Sequence, residues 1–136
     1  MNGTVKEWVL KAEADFATAG RELQATANPN YDAVCFHAQQ CVEKLMKALL
    51  IHLGVTPPKT HDLGALEALL TPVCPAWSWA AQDLRFLTRA SVDFRYPGEQ
   101  ADKEEARQAH EIAGSLRQRL RQLLGRRHRR TSSGLS

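Results

Sequence analysis

No run of this 136-residue chain is both long and apolar enough to span a bilayer, which sets aside a helical membrane protein. The opening residues, MNGTVKEWVL, carry charges where the apolar core of a signal peptide would lie, so the expected location is the cytoplasm. Cysteine is scarce. Cys35, Cys41 and Cys74 are odd in number and share no repeated spacing, which argues against a disulfide framework. Series of alternating strands are missing, as are the glycine patterns of dinucleotide and P-loop sites. No cofactor is implied. His37 and Cys41 stand four apart, a spacing that can serve a metal, but no second pair lies nearby and Cys41 belongs to an apolar stripe. No metal site is expected.

The excess of positive charge is also absent from most of the chain. The net charge is +3, yet Arg126, Arg127, Arg129 and Arg130 crowd into the last eleven residues. Without these four, 14 basic residues face 15 acidic ones and the net charge is −1. The expected organisation is a balanced domain over 1–125 and a basic, unpacked tail over 126–136, with almost nothing apolar to bury. The tail would suit an RNA backbone or an acidic surface, though a plain solvated end is the favoured reading.

What is present is helix. Val5, Val9, Ala12, Phe16, Ala19 and Leu23 recur at spacings of three and four and predict a helix over about 5–24. Asn28 and Pro29 read as cap and first turn of a second helix over about 30–53, which Gly54 ends. Thr60 or Asp62 can cap a short third helix, HDLGALEALL. A fourth covers about 77–90, and a last one about 101–124, acidic at its start and basic at its end. The predicted fold is all-α: an antiparallel up-and-down bundle of four main helices plus a short fifth.

Three polar clusters interrupt this pattern. On the second helix, at about 100° per residue, His37, Gln40, Lys44 and Lys47 share a flank of the apolar stripe, while Gln39 and Glu43 point farther from the core. A wet helix face with Glu43 and Lys47 as an i,i+4 pair explains this simply. In KTHDL, residues 59–63, Lys59 and His61 stand near a helix N-terminus, where anions are attracted. In DFRYPG, Arg95 can grip a phosphate and Tyr96 can stack on a base, or they pair locally and fill the bundle end. The Arg-Tyr-Pro break is expected to close a pocket between helix ends.

Taken in order, FHAQQ-x-x-EK, KTHDL and RYP followed by a long closing helix resemble the HEPN family over residues 5–124. The resemblance implies a four- to five-helix bundle, a homodimer and, for small prokaryotic members, pairing with a minimal nucleotidyltransferase in a toxin–antitoxin-like system. It also implies metal-independent ribonuclease activity in members with an Arg, a gap of four to six residues, and a His. This sequence departs from that motif. Neither Arg89 nor Arg95 has a His at that distance, and Arg121 with His128 fits only by running into the tail.

Arg95 cannot serve as a general base, because a guanidinium stays protonated. The expectation is therefore a nucleotide- or RNA-binding module using Glu43, Lys44, Lys59, His61, Arg95 and Tyr96, without confident catalytic residues. The alternatives are a ribonuclease toxin acting through His61, Arg95 and Tyr96, and a purely structural interaction protein.

Overall fold

A computed structural model describes residues 2–92 and 96–126. Arg95 and the end of the Arg-rich tail lie outside the described residues. The helices are α1 (Gly3–Leu23), α2 (Tyr31–His52), α3 (Leu63–Leu70), α4 (Ala81–Ala90) and α5 (Lys103–Leu124). They form the expected all-helical bundle, with no strand among the described residues. None of these helices is long and apolar enough to cross a membrane.

Local chemistry sets the helix ends. The Asn2 side chain accepts from the Val5 amide at 2.8 Å and caps α1. The cap of α2 is Asn30, which accepts from Ala33, and not Asn28. Asn28 instead takes a left-handed backbone (φ 49°), a conformation asparagine tolerates, and turns the chain between α1 and α2. Gly54 has φ 85°, and the amides of Gly54 and Val55 bond back to Ile51 and Leu50. This is a left-handed helix stop that suits glycine. Asp62 caps α3. Asp102 and Glu105 form a reciprocal capping box on α5, which therefore starts two residues later than its apolar pattern suggests.

α4 is shorter than expected and begins at Ala81. Trp77 is drawn into the core as a loop residue, its indole N–H donating to Glu67 at 3.2 Å, so this stretch is tied to α3. Tryptophan and serine are also weak helix formers next to Pro75.

α2 is the axis of the molecule and packs against all four other helices. Val34, Ala38, Cys41, Val42, Leu45, Met46, Leu49 and Leu50 are buried along it. α5 contributes a ladder of Ala106, Ala109, Ala113, Leu116 and Leu120, whose small residues at one end allow close approach. Packing on several sides leaves α2 little room for a wet face, and this decides the fate of its polar residues.

Candidate functional site

The polar residues of α2 do not lie where helical periodicity placed them. Gln39 is 0 %, Glu43 3 % and Lys47 6 % exposed. The expectation that Gln39 and Glu43 point away from the core is thus corrected. It assumed packing on one face, whereas His61, from the connection before α3, closes over this flank. An ionised carboxylate at such a position needs a full set of donors, and Glu43 has them. Lys47 Nζ donates to Oε2 at 2.9 Å, and Gln39 Nε2 and His61 Nδ1 lie 3.2 and 2.9 Å from Oε1. Gln39 also donates to the His61 carbonyl at 2.9 Å, and Gln40 donates to Gln39 Oε1 at 2.9 Å. Lys47 sits 5.8 Å from the centre of the Trp8 ring on α1.

The FHAQQ-x-x-EK and KTHDL motifs are therefore parts of one hydrogen-bonded knot. A carboxylate can only accept, so Nδ1 of His61 carries the proton. Nε2 is then the imidazole's unpaired nitrogen, on a side chain that is 76 % exposed. The knot tethers one edge of the ring while the rest of it meets water.

A second knot lies one turn toward the start of α2. Asp15 of α1 accepts from His37 Nδ1 at 2.8 Å and Lys44 Nζ at 2.6 Å. Lys44, a candidate ligand contact, thus has its ammonium committed to Asp15. Lys59 is exposed on the loop before α3.

The third motif returns to the start of α2. Tyr96 to Glu99 form a tight turn in which the Glu99 amide bonds the Tyr96 carbonyl at 3.1 Å. Pro97 sits at its second position and Gly98, with φ 88°, at its third. That is the chemistry of a type II turn. Tyr96 is 68 % exposed, so it does not fill the bundle end. After the turn, the Ala101 amide donates to Asp32 at 2.7 Å and anchors α5 to α2. Before it, Thr88 Oγ1 accepts from the Leu63 amide at 3.2 Å, which joins the end of α4 to KTHDL.

Two of the three motifs thus meet at Glu43, while the segments on either side of the third are tied to the starts of α2 and α3. Arg95, assigned a guanidinium role, lies outside the described residues, and no direct contact joins Lys59, His61 and Tyr96. Two hollows of about 270 and 260 Å³ flank the break, and none of these three residues lines them.

Sequence reasoning did not single out Asp15, Asp32 or Phe36. Asp15 sits on α1 between Ala12 and Ala19 of its apolar stripe, and its charge there was a usable signal of a buried partner. The thiols of Cys35 and Cys41 are pushed up to about 12 by burial, reinforced by neighbouring carboxylates, so both stay protonated at neutral pH. Among the described residues, no three His, Cys, Asp or Glu side chains group so as to hold a metal.

The HEPN domain model matches residues 5–123. The chain belongs to the HEPN family. Among solved structures, it is similar to TT1696 from Thermus thermophilus, with 19 % identity, 90 % of this chain and 99 % of that one covered, and a TM-score of 0.72. It is also similar to ST0689, described as an archaeal HEPN homologue, with 21 % identity, coverage of 91 % and 99 %, and a TM-score of 0.66. These likenesses establish the HEPN bundle as its fold. A comparison with curated proteins found no match.

Proposed function

We propose that this HEPN protein is a nucleotide- or RNA-binding module that acts as a homodimer and is paired with a minimal nucleotidyltransferase in a toxin–antitoxin-like system. The observation that carries the reading is the Glu43 knot, which holds an otherwise exposed imidazole in one orientation. Holding a surface ring from a buried carboxylate spends side-chain entropy before any ligand arrives, and this preorganisation favours binding. Lys59 supplies a cation two residues away, and Tyr96 offers an exposed aromatic face for stacking. Arg95 adds a guanidinium for phosphate.

Calorimetric titration with nucleotides and short RNAs at low salt tests the binding. Heat from at least one of them, reduced in His61→Ala, is expected; no heat from any defeats direct recognition. Sedimentation tests the dimer. A native pull-down from the source cell tests the pairing, with a nucleotidyltransferase expected in the eluate.

One observation favours the ribonuclease reading: with Nδ1 turned to Glu43, His61 presents Nε2 to solvent, and in the neutral form of the ring that nitrogen can accept a 2′-OH proton. Expression in a host, scored for growth arrest and RNA cleavage, separates the two. Toxicity that survives in wild type and vanishes in His61→Ala would support catalysis.

A further inference from the structure

The hollow of about 270 Å³ between the start of α2 and the end of α4 has no role in the reading above. Its lining includes Asp32, Phe36, His37 and Ser91. Asp32 and His37 are set by contacts already described. Asp32 gives one carboxylate oxygen to the Ala101 amide, which leaves the other oxygen as an acceptor. His37 is fixed by Asp15, itself held by Lys44. Because that carboxylate only accepts, Nδ1 carries a proton, and in the neutral form of the ring Nε2 is a second acceptor. Phe36 is 40 % exposed and meets the His37 ring edge-on at 5.3 Å. The adjacent hollow of about 260 Å³ shares Asn30 and Asp32 with the first.

We infer that this hollow receives an amino-bearing nucleobase, stacked on Phe36 and donating from its exocyclic amine to Asp32, with Nε2 of His37 as a second acceptor. The inference rests on the nucleotide-binding reading and extends it to residues outside the Glu43 knot.

Three observations select this ligand. The acceptors, Asp32 and His37, demand a ligand that brings N–H donors. The described lining sets the Phe36 ring beside these acceptors, a stacking face that suits a base. Its volume lies just below the range of about 300–1,000 Å³ for drug-sized ligands, which fits one flat ring system with the sugar in the neighbouring hollow. Ser91 closes α4 one turn after Thr88, whose hydroxyl accepts from the Leu63 amide.

The test compares adenosine 5′-monophosphate with purine riboside 5′-monophosphate, which differs only in lacking the amine. Titration of the wild-type chain should show the analogue binding at least about tenfold more weakly, because the acceptors facing the amine are left unpaired. Phe36→Ala should weaken adenosine monophosphate by about tenfold through lost stacking. Asp32→Asn, which retains an acceptor for the Ala101 amide, should erase the preference for the amine. Backbone amide shifts on titration should centre on residues 33–37. Circular dichroism checks that the variants fold, and the two-ligand comparison on wild type decides the matter without them.

Equal affinity for the two ligands overturns the inference. So do shifts centred on 59–61 and 96 with residues 33–37 unmoved, an outcome that leaves the nucleotide-binding reading standing. No binding of either ligand overturns the hollow, and no binding of any nucleotide or RNA overturns both readings.

Discussion

Glu43 with Lys47 on α2 and Arg107 with Glu111 on α5 are opposite charges at the same i,i+4 spacing, and the two pairs lead different lives. The first is 2.9 Å apart with both side chains almost completely buried. The second is 3.3 Å apart at the surface, where Arg107 also pairs with Glu104. Spacing brings the partners together in both cases. Only the surroundings decide whether the pair is an incidental surface contact or a buried knot that other residues must complete. Around Glu43 they are α1, α3 and the loop bearing His61. Around Arg107 they are water.

The sharpest way to break this comparison is to remove Glu43. Glu43→Ala strands the Lys47 ammonium in the core and unties His61 and Gln39. Chemical denaturation should show a loss of about 3–5 kcal/mol. Joint replacement of Glu43 and Lys47 by methionine should cost much less, because no charge is then left alone. If the single and double variants are equally unstable, the knot's charge pairing is not what matters.

The Glu13 cluster sits between the two extremes. Arg117 reaches Glu13 at 2.7 Å and Arg121 at 2.7 Å, joining α1 to α5. Burial pushes the Glu13 carboxyl up, but the two guanidinium groups outweigh it and hold it below the ordinary carboxylate value. Its stabilisation is therefore present above the ordinary value of about 4.5 and lost as pH falls through the lowered one. Glu13→Gln should cost about 1 kcal/mol at neutral pH and flatten the acid limb of a stability–pH curve.

His110 gives a smaller, oppositely motivated pH effect. It stacks on Phe16 with ring centres 4.8 Å apart, and burial lowers its pKa below about 6.5. The unfolded chain then takes up the proton first, so stability should fall as pH drops below about 6.5. His110→Phe should remove that part of the slope while keeping the stack. The smallest effect should come from Glu104→Ala. Its carboxyl is fully exposed, and thermal melting at physiological salt should be unchanged.

Much of the site was legible as residue types but not as an arrangement. KTHDL and FHAQQ-x-x-EK stood out as clusters, yet nothing in either suggested that His61 and Glu43 touch across a separation of eighteen residues. Lys44 looked like a ligand contact because its partner, Asp15, is on another helix, 29 residues away. The break at Pro97 and Gly98 was readable because its turn needs only local chemistry. A pocket between helix ends was expected there too, but its lining was not legible, since residues from α2 and the end of α4 form it together.

By itself, the sequence determined the helices, most of their stops and the all-α class, because caps, left-handed glycines and apolar spacing act within a few residues. The tertiary structure alone decided which polar side chains were buried, which ammonium groups were already engaged and which residues line the hollows. Those outcomes depend on what packs against each face, and the neighbours that bury Glu43 or hold Lys44 are brought there only when the whole chain closes around α2.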